Sequence, residues 1–179
     1  MKLSSLSRSL ISAGLFLSAT AHAFSANTIQ FIGEIADQTC EVAVNGSHNS
    51  PVVLLPTVSR SELNAAAKTA GAATFTIKVT GCTSDVNDTA IKTRFIANNL
   101  TTSKRIGNTG DASNVSLEIF DPRDASVTID HTGLTAAPGV NLAAGATEAS
   151  YDYGVRYYAE GTATAGSVAG SVQYALTYR

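Results

Sequence analysis

Along most of this chain apolar residues recur at every second position. That period commits the backbone to half-buried strands rather than helices, because successive side chains of a strand point to opposite faces. Phe75, Ile77 and Val79 alternate with Thr74, Thr76, Lys78 and Thr80 ahead of Gly81 and Cys82. Val172, Tyr174, Leu176 and Tyr178 share one face of the last segment, Ser171 to Arg179. Ile29, Phe31, Gly33 and Ile35 share one face of the first. Further strands are expected over Val52 to Leu55, Lys92 to Ala97, Val115 to Phe120, Val127 to Ile129 and Tyr151 to Tyr158, which makes about eight.

Between these segments stand turn formers: Asn45-Gly46, Gly107-Asn108, Asp121-Pro122, Pro138-Gly139 and Gly145. Many short strands with such punctuation predict an all-β sandwich of the antiparallel kind. The exception is Ser61 to Ala70, where Glu62, Leu63 and an alanine run predict a short helix, capped by Ser59 with Glu62 three positions on and ended by Gly71. Ala159 to Gly170, rich in Ala, Gly, Thr and Ser, reads as a loop, since only nine residues follow it.

The first residues differ from the rest. Lys2 and Arg8 are basic, Leu10 to Ala21 is mainly apolar, and Ala21, His22 and Ala23 form an A-x-A ending, which is the pattern of a secretory signal peptide. Residues 1–23 are therefore expected to be removed on export. An apolar run of about a dozen residues is too short to cross a bilayer as a helix. Cleavage takes Lys2 and Arg8 from the 12 basic residues and none of the 14 acidic ones, moving the net charge from −2 to −4. Nucleic acid is not an expected partner of such a chain, and without a basic amphipathic helix a membrane or lipid anchor is not expected either.

Export also decides how the two cysteines are read. In an oxidising compartment Cys40 and Cys82 are expected to form a disulfide, the single pairing available. A metal site would need further ligands, and His48 and His131 stand at no ligand spacing from either cysteine. No metal or other cofactor is expected. The serine-hydrolase motif G-x-S-x-G does not occur, and Asp121 with Asp124 flanks a proline turn, so no catalytic residue is assigned. Asp85, Asn87 and Asp88 lack the glycine and glutamate of a calcium loop. One alternative to a building block is a carbohydrate-binding module, for which Tyr151, Tyr153 and Tyr157 would share a strand face beside Tyr158.

Three segments in order resemble the pilins of the chaperone–usher pathway, the family of type 1 and P fimbrial subunits. They are Ile29-Gln30-Phe31-Ile32-Gly33-Glu34-Ile35 ahead of Cys40, then Phe75-Thr76-Ile77-Lys78-Val79-Thr80-Gly81-Cys82, and Gly170-Ser171-Val172-Gln173-Tyr174-Ala175-Leu176-Thr177-Tyr178-Arg179 with its penultimate tyrosine. The resemblance implies an immunoglobulin-like sandwich that lacks its last strand and keeps an apolar groove beside the C-terminal strand, along Val172, Tyr174, Leu176 and Tyr178. It implies a donor extension over residues 24–36, with Asn27, Ile29, Phe31, Gly33 and Ile35 entering a neighbour's groove, ahead of a pilin domain over residues 37–179. It implies neighbouring subunits, a periplasmic chaperone and an outer-membrane usher as partners. The extension is short beside those of major pilins and closer to minor or adaptor subunits. A separate lectin domain, and with it receptor binding, is not expected.

Overall fold

A computed structural model describes Gly33, Ile35, residues 40–83 and residues 85–178. The expected signal peptide and most of the expected extension, including Asn27, Ile29 and Phe31, lie outside the described residues.

Nine strands and one short helical turn make up the described residues: β1 (Glu41–Val44), a 3-10 turn (Arg60–Leu63), β2 (Thr69–Thr80), β3 (Thr89–Ala97), β4 (Ile106–Gly107), β5 (Val115–Asp121), β6 (Asp124–Thr128), β7 (Ala137–Leu142), β8 (Ala149–Ala159) and β9 (Val172–Tyr178). One sheet runs β1-β2-β8-β5-β4, with β6 also on β5, and the second runs β7-β3-β9. Every ladder is antiparallel. The expected all-β sandwich is thus the observed fold. Apolar faces of β2, β5 and β8 meet those of β3, β7 and β9 in one core that includes Ile77, Val79, Ile91, Phe95, Ile119 and Leu142. Aromatic rings join the two sheets at its centre. Phe95 of β3 stands edge-on to Tyr153 of β8 at 5.1 Å and to Phe75 of β2 at 6.3 Å.

Four local expectations need correction. Val52 to Leu55 forms no strand: residues 51–58 are outside any ladder, and Pro51 and Pro56, which carry no N–H, bracket the run. The helix stops at Leu63, although its capping box is formed as expected by Ser59 and Glu62. Thr69 and Ala70 already belong to β2, because tertiary pairing with Tyr158 and Tyr157 overrides the helical preference of the alanine run. Gly71 sits in a bulge of β2 at φ +61, where a Cβ would lie 2.7 Å from the Tyr157 ring. Pro138-Gly139 is no turn but part of β7, an edge strand where a missing N–H is tolerated and where a Cβ on residue 139 would collide with the carbonyl oxygen of Ile91. The strand near Val127 to Ile129 starts and ends earlier, at Asp124–Thr128, and β1, β4 and β7 carried too short or too irregular an alternation to be foreseen.

Cys40 and Cys82 are joined in a disulfide, 42 residues apart, at the end of the sandwich where β1 begins and β2 ends. Closing such a loop restricts the unfolded chain by on the order of 4 kcal/mol in the chain-entropy account. Thiol labelling of denatured, unreduced protein should therefore modify no cysteine, and Cys82→Ser should cost several kcal/mol in denaturant melts.

A second tie is polar. The buried His131 ring accepts the Ile119 N–H at Nε2, 3.0 Å away, and faces the Lys104 carbonyl oxygen through Nδ1 at 3.2 Å. It fastens β5 to the loop that leaves β3. Burial pushes its pKa below the ordinary 6.5, outweighing the nearby Lys104 carbonyl, Asp130 and Glu118. The folded pKa is the lower one, so this contribution is fully present above about pH 6.5 and is lost as pH falls through the folded value. The melting temperature should drop on acidification from about pH 7 to about pH 5, and His131→Asn should flatten that slope. An unchanged slope in the variant would remove His131 as its source.

Candidate functional site

The site begins with β9. Its register on β3 runs from Ala97↔Val172 to Ile91↔Tyr178 and satisfies one side of its backbone. Among the described residues no strand lies against its other side, and β9 ends the sheet. Val172, Tyr174, Leu176 and Tyr178 are half-buried against the core, while of the residues between them Gln173 and Ala175 are exposed and Thr177 is buried. The sequence alternation is thus the observed one.

Facing β9 across a gap runs the extended segment 51–58. Val53 and Leu55 turn inward to the core, whereas Val52 and Leu54 are 76% and 85% exposed. Among the described residues, no backbone hydrogen bond is made by residues 51–58. Between these two walls opens an apolar cavity of about 460 Å³, with Val53 and Leu55 on one side, Val172 and Tyr174 on the other, and Phe95 and Ile119 at its floor. Protein interiors hold few voids larger than a water molecule. An apolar gap of this size, lying between the outer edge of β9 and a segment that joins no ladder among the described residues, has room for a strand.

The expected site residues divide accordingly. Val172 and Tyr174 line the cavity. Tyr178 lies at the other end of β9, where its hydroxyl accepts the Cys40 N–H at 3.2 Å and so joins the last strand to the disulfide. Of the expected donor face, Gly33 and Ile35 are described: both are exposed and in no strand. The opposite wall was missed in the sequence. The bracketing prolines around Val52-Val53-Leu54-Leu55 were its available signal, since they mark an apolar run unable to complete a ladder.

No cluster of three or more potential metal ligands occurs among the described residues. Asp121 is held by Arg123 through a 3.0 Å ion pair and accepts the Tyr151 hydroxyl, so it has a packing role rather than a reacting partner in Asp124. The tyrosines imagined as a sugar platform are spent on the core. Tyr151 and Tyr153 are buried, and burial pushes the Tyr153 phenol up to about 12. Tyr158 lies beneath Arg105, whose guanidinium carbon is 3.4 Å from the ring centre. Glu118, also buried, holds Arg105 and Arg156 at 3.0 and 2.7 Å.

Among the described residues the class of fold is thus an antiparallel all-β sandwich with an apolar groove beside its last strand. The family model described as fimbrial protein matches residues 29–179. The F17 fimbrial protein of Escherichia coli is 32% identical over 162 residues, covering 84% of this chain and 86% of that protein. The major fimbrial subunit SMF-1 of Stenotrophomonas maltophilia is 30% identical over 168 residues, covering 84% of this chain and 91% of its own. Among solved structures, the P pilus rod subunit PapA superposes with a TM-score of 0.59 at 12% identity, over 78% of this chain and 99% of that one. The chain belongs to the fimbrial protein family. It is a structural subunit of bacterial surface fimbriae, exported from the cell and assembled with other subunits.

Proposed function

We propose that the subunit polymerises by donor-strand exchange: the extension over residues 24–36 of one subunit completes the sandwich of the next, and the protein performs no catalysis. The observation that carries this reading is the apolar gap between the unpaired edge of β9 and the unpaired segment 51–58. A strand supplied there gives hydrogen bonds to backbone and apolar side chains to the gap in one step, which is β-strand addition. Asn27, Ile29, Phe31, Gly33 and Ile35 alternate as such a strand requires. The full exposure of Ile35 supports this reading, since a residue of the subunit's own core would be covered. Before assembly a periplasmic chaperone occupies the groove, and an outer-membrane usher is the place of exchange. Both follow from the resemblance, together with the need to shield an open edge and apolar surface that would otherwise aggregate. With Tyr151 and Tyr153 buried, the carbohydrate-binding alternative loses two of the four tyrosines on which it rested.

Two measurements test the reading. Fusing Asn27 to Ile35 after Arg179 through a flexible linker should give a soluble monomer with a clearly raised melting temperature. An unfused mature protein that is equally stable and monomeric would contradict the open strand position. Phe31→Asp separates donation from ordinary folding. Placing an unpaired carboxylate in a neighbour's groove costs several kcal/mol. The subunit itself should still fold and co-purify with its chaperone, while detergent-resistant multimers and fibres disappear. Loss of the chaperone complex together with the fibres would place Phe31 in the subunit's own core instead.

A further inference from the structure

The sandwich has two unlike ends. At one, the disulfide, the start of β1 and the end of β9 meet, and the loop 85–88 follows Cys82 there on the way to β3. That loop is fixed by the Gly145 N–H on the Asp85 carbonyl oxygen at 2.8 Å and by the Ala144 N–H on Asp88 Oδ1 at 2.9 Å. At its tip Val86 is 87% exposed. At the opposite end, the 3-10 turn, the last residues of β8 and the loop 160–170 surround a second cavity of about 500 Å³, lined by Val58, Leu63, Val115, Tyr157 and Val168. Arg60 stands on its rim and has no hydrogen-bond or ion-pair partner among the described residues.

We infer that this second cavity is the socket for the loop 85–88 of the next subunit, with Val86 inserted and Arg60 facing Asp85 and Asp88. The inference rests on the donor-strand reading and adds a body-to-body contact to it. Both ladders of the receiving sheet are antiparallel, so a strand continuing that sheet beside β9 runs with its C-terminal end toward Val172. Gly170 lines the groove and Val168 the second cavity, which makes the two openings neighbours at that end. The incoming chain leaves the groove at Ile35, and five residues later it reaches Cys40, the root of its own sandwich. Extended chain spans at most about 3.6 Å per residue, so the disulfide end of the next subunit lies within about 18 Å of that exit. The apolar tip and two carboxylates of that end are thereby brought to an apolar socket with an unpaired guanidinium.

Cysteine pairing tests this in assembled fibres. Val86 and Ala165, at the rim of the socket, are both exposed, so replacing them leaves the core intact. Fibres of a Val86→Cys, Ala165→Cys double variant should give a ladder of reduction-sensitive covalent multimers after boiling in detergent. The cross-linked peptide should be identifiable by mass spectrometry, and either single variant should give no ladder. Fibres without a ladder would overturn the socket while leaving strand donation standing. A ladder from Ala36→Cys with Ala165→Cys in its place would put the connecting residues in the cavity and overturn it equally. Failure of the unsubstituted protein to form detergent-resistant multimers would remove strand donation, and the socket with it.

Discussion

Backbone groups that lack partners over an apolar gap are the constraint from which the rest of this molecule follows. Among the described residues, β9 pairs with a strand on one side only, residues 51–58 join no ladder, and between them the floor of the core is open. Water can serve the polar backbone of such a gap but not its apolar floor, and an apolar ligand could cover the floor but not serve the backbone. A β-strand with alternating apolar residues does both. The proposed occupant of the gap is therefore a strand rather than a small molecule.

The remainder of the fold keeps that gap in shape while it is empty. The disulfide fixes the start of β1 to the end of β2, and the Tyr178 hydroxyl ties β9 to the same point through the Cys40 N–H. The aromatic contacts among Phe75, Phe95 and Tyr153 hold the two sheets at a set distance beneath the opening. On the outer side of the first sheet, Glu118 between Arg105 and Arg156 is a buried charge with both its oxygens engaged, an arrangement that is costly to break and so fixes β5 against β8 and the 101–105 loop. A groove lined by pre-set walls loses little order when filled, which favours tight occupancy.

The sequence disclosed those parts of the architecture in which a single periodicity persists. The run from Thr74 to Thr80 and the run from Val172 to Tyr178 each bury one face, and both were legible with their faces. It was less informative where tertiary contacts decide. Thr69 and Ala70 read as helix until β8 pairs with them, and Pro138-Gly139 reads as a turn until β3 supplies the other side of an edge strand. For the site, β9 could be read as one wall because it alternates. The wall at Val52 to Leu55 could not, because four consecutive apolar residues define no face until the structure shows Val53 and Leu55 inward and Val52 and Leu54 outward. The buried state of Tyr151 and Tyr153 was likewise hidden, since alternation names a shared face without saying what covers it.

An open strand position also fixes where the stability of the assembled protein must reside. A domain has about 5 to 15 kcal/mol of net stability, a small difference between large terms. A whole strand's burial and hydrogen bonding is of that order or larger. In the proposed assembly this contribution is made between chains, so the folded state of each subunit is linked to the strand that fills it, as with any ligand that binds the native form alone. In that proposal the apolar alternation at Asn27 to Ile35 answers the apolar groove beside β9. In the proposed assembly the donor segment stands near one end of the chain, and the groove it fills lies beside the strand at the other. A subunit with a surplus and a deficit of the same kind, separated by the length of its own sandwich, closes on a copy of itself in a head-to-tail manner, and heterologous contacts of that sort generate filaments when the rotation between copies does not close a ring.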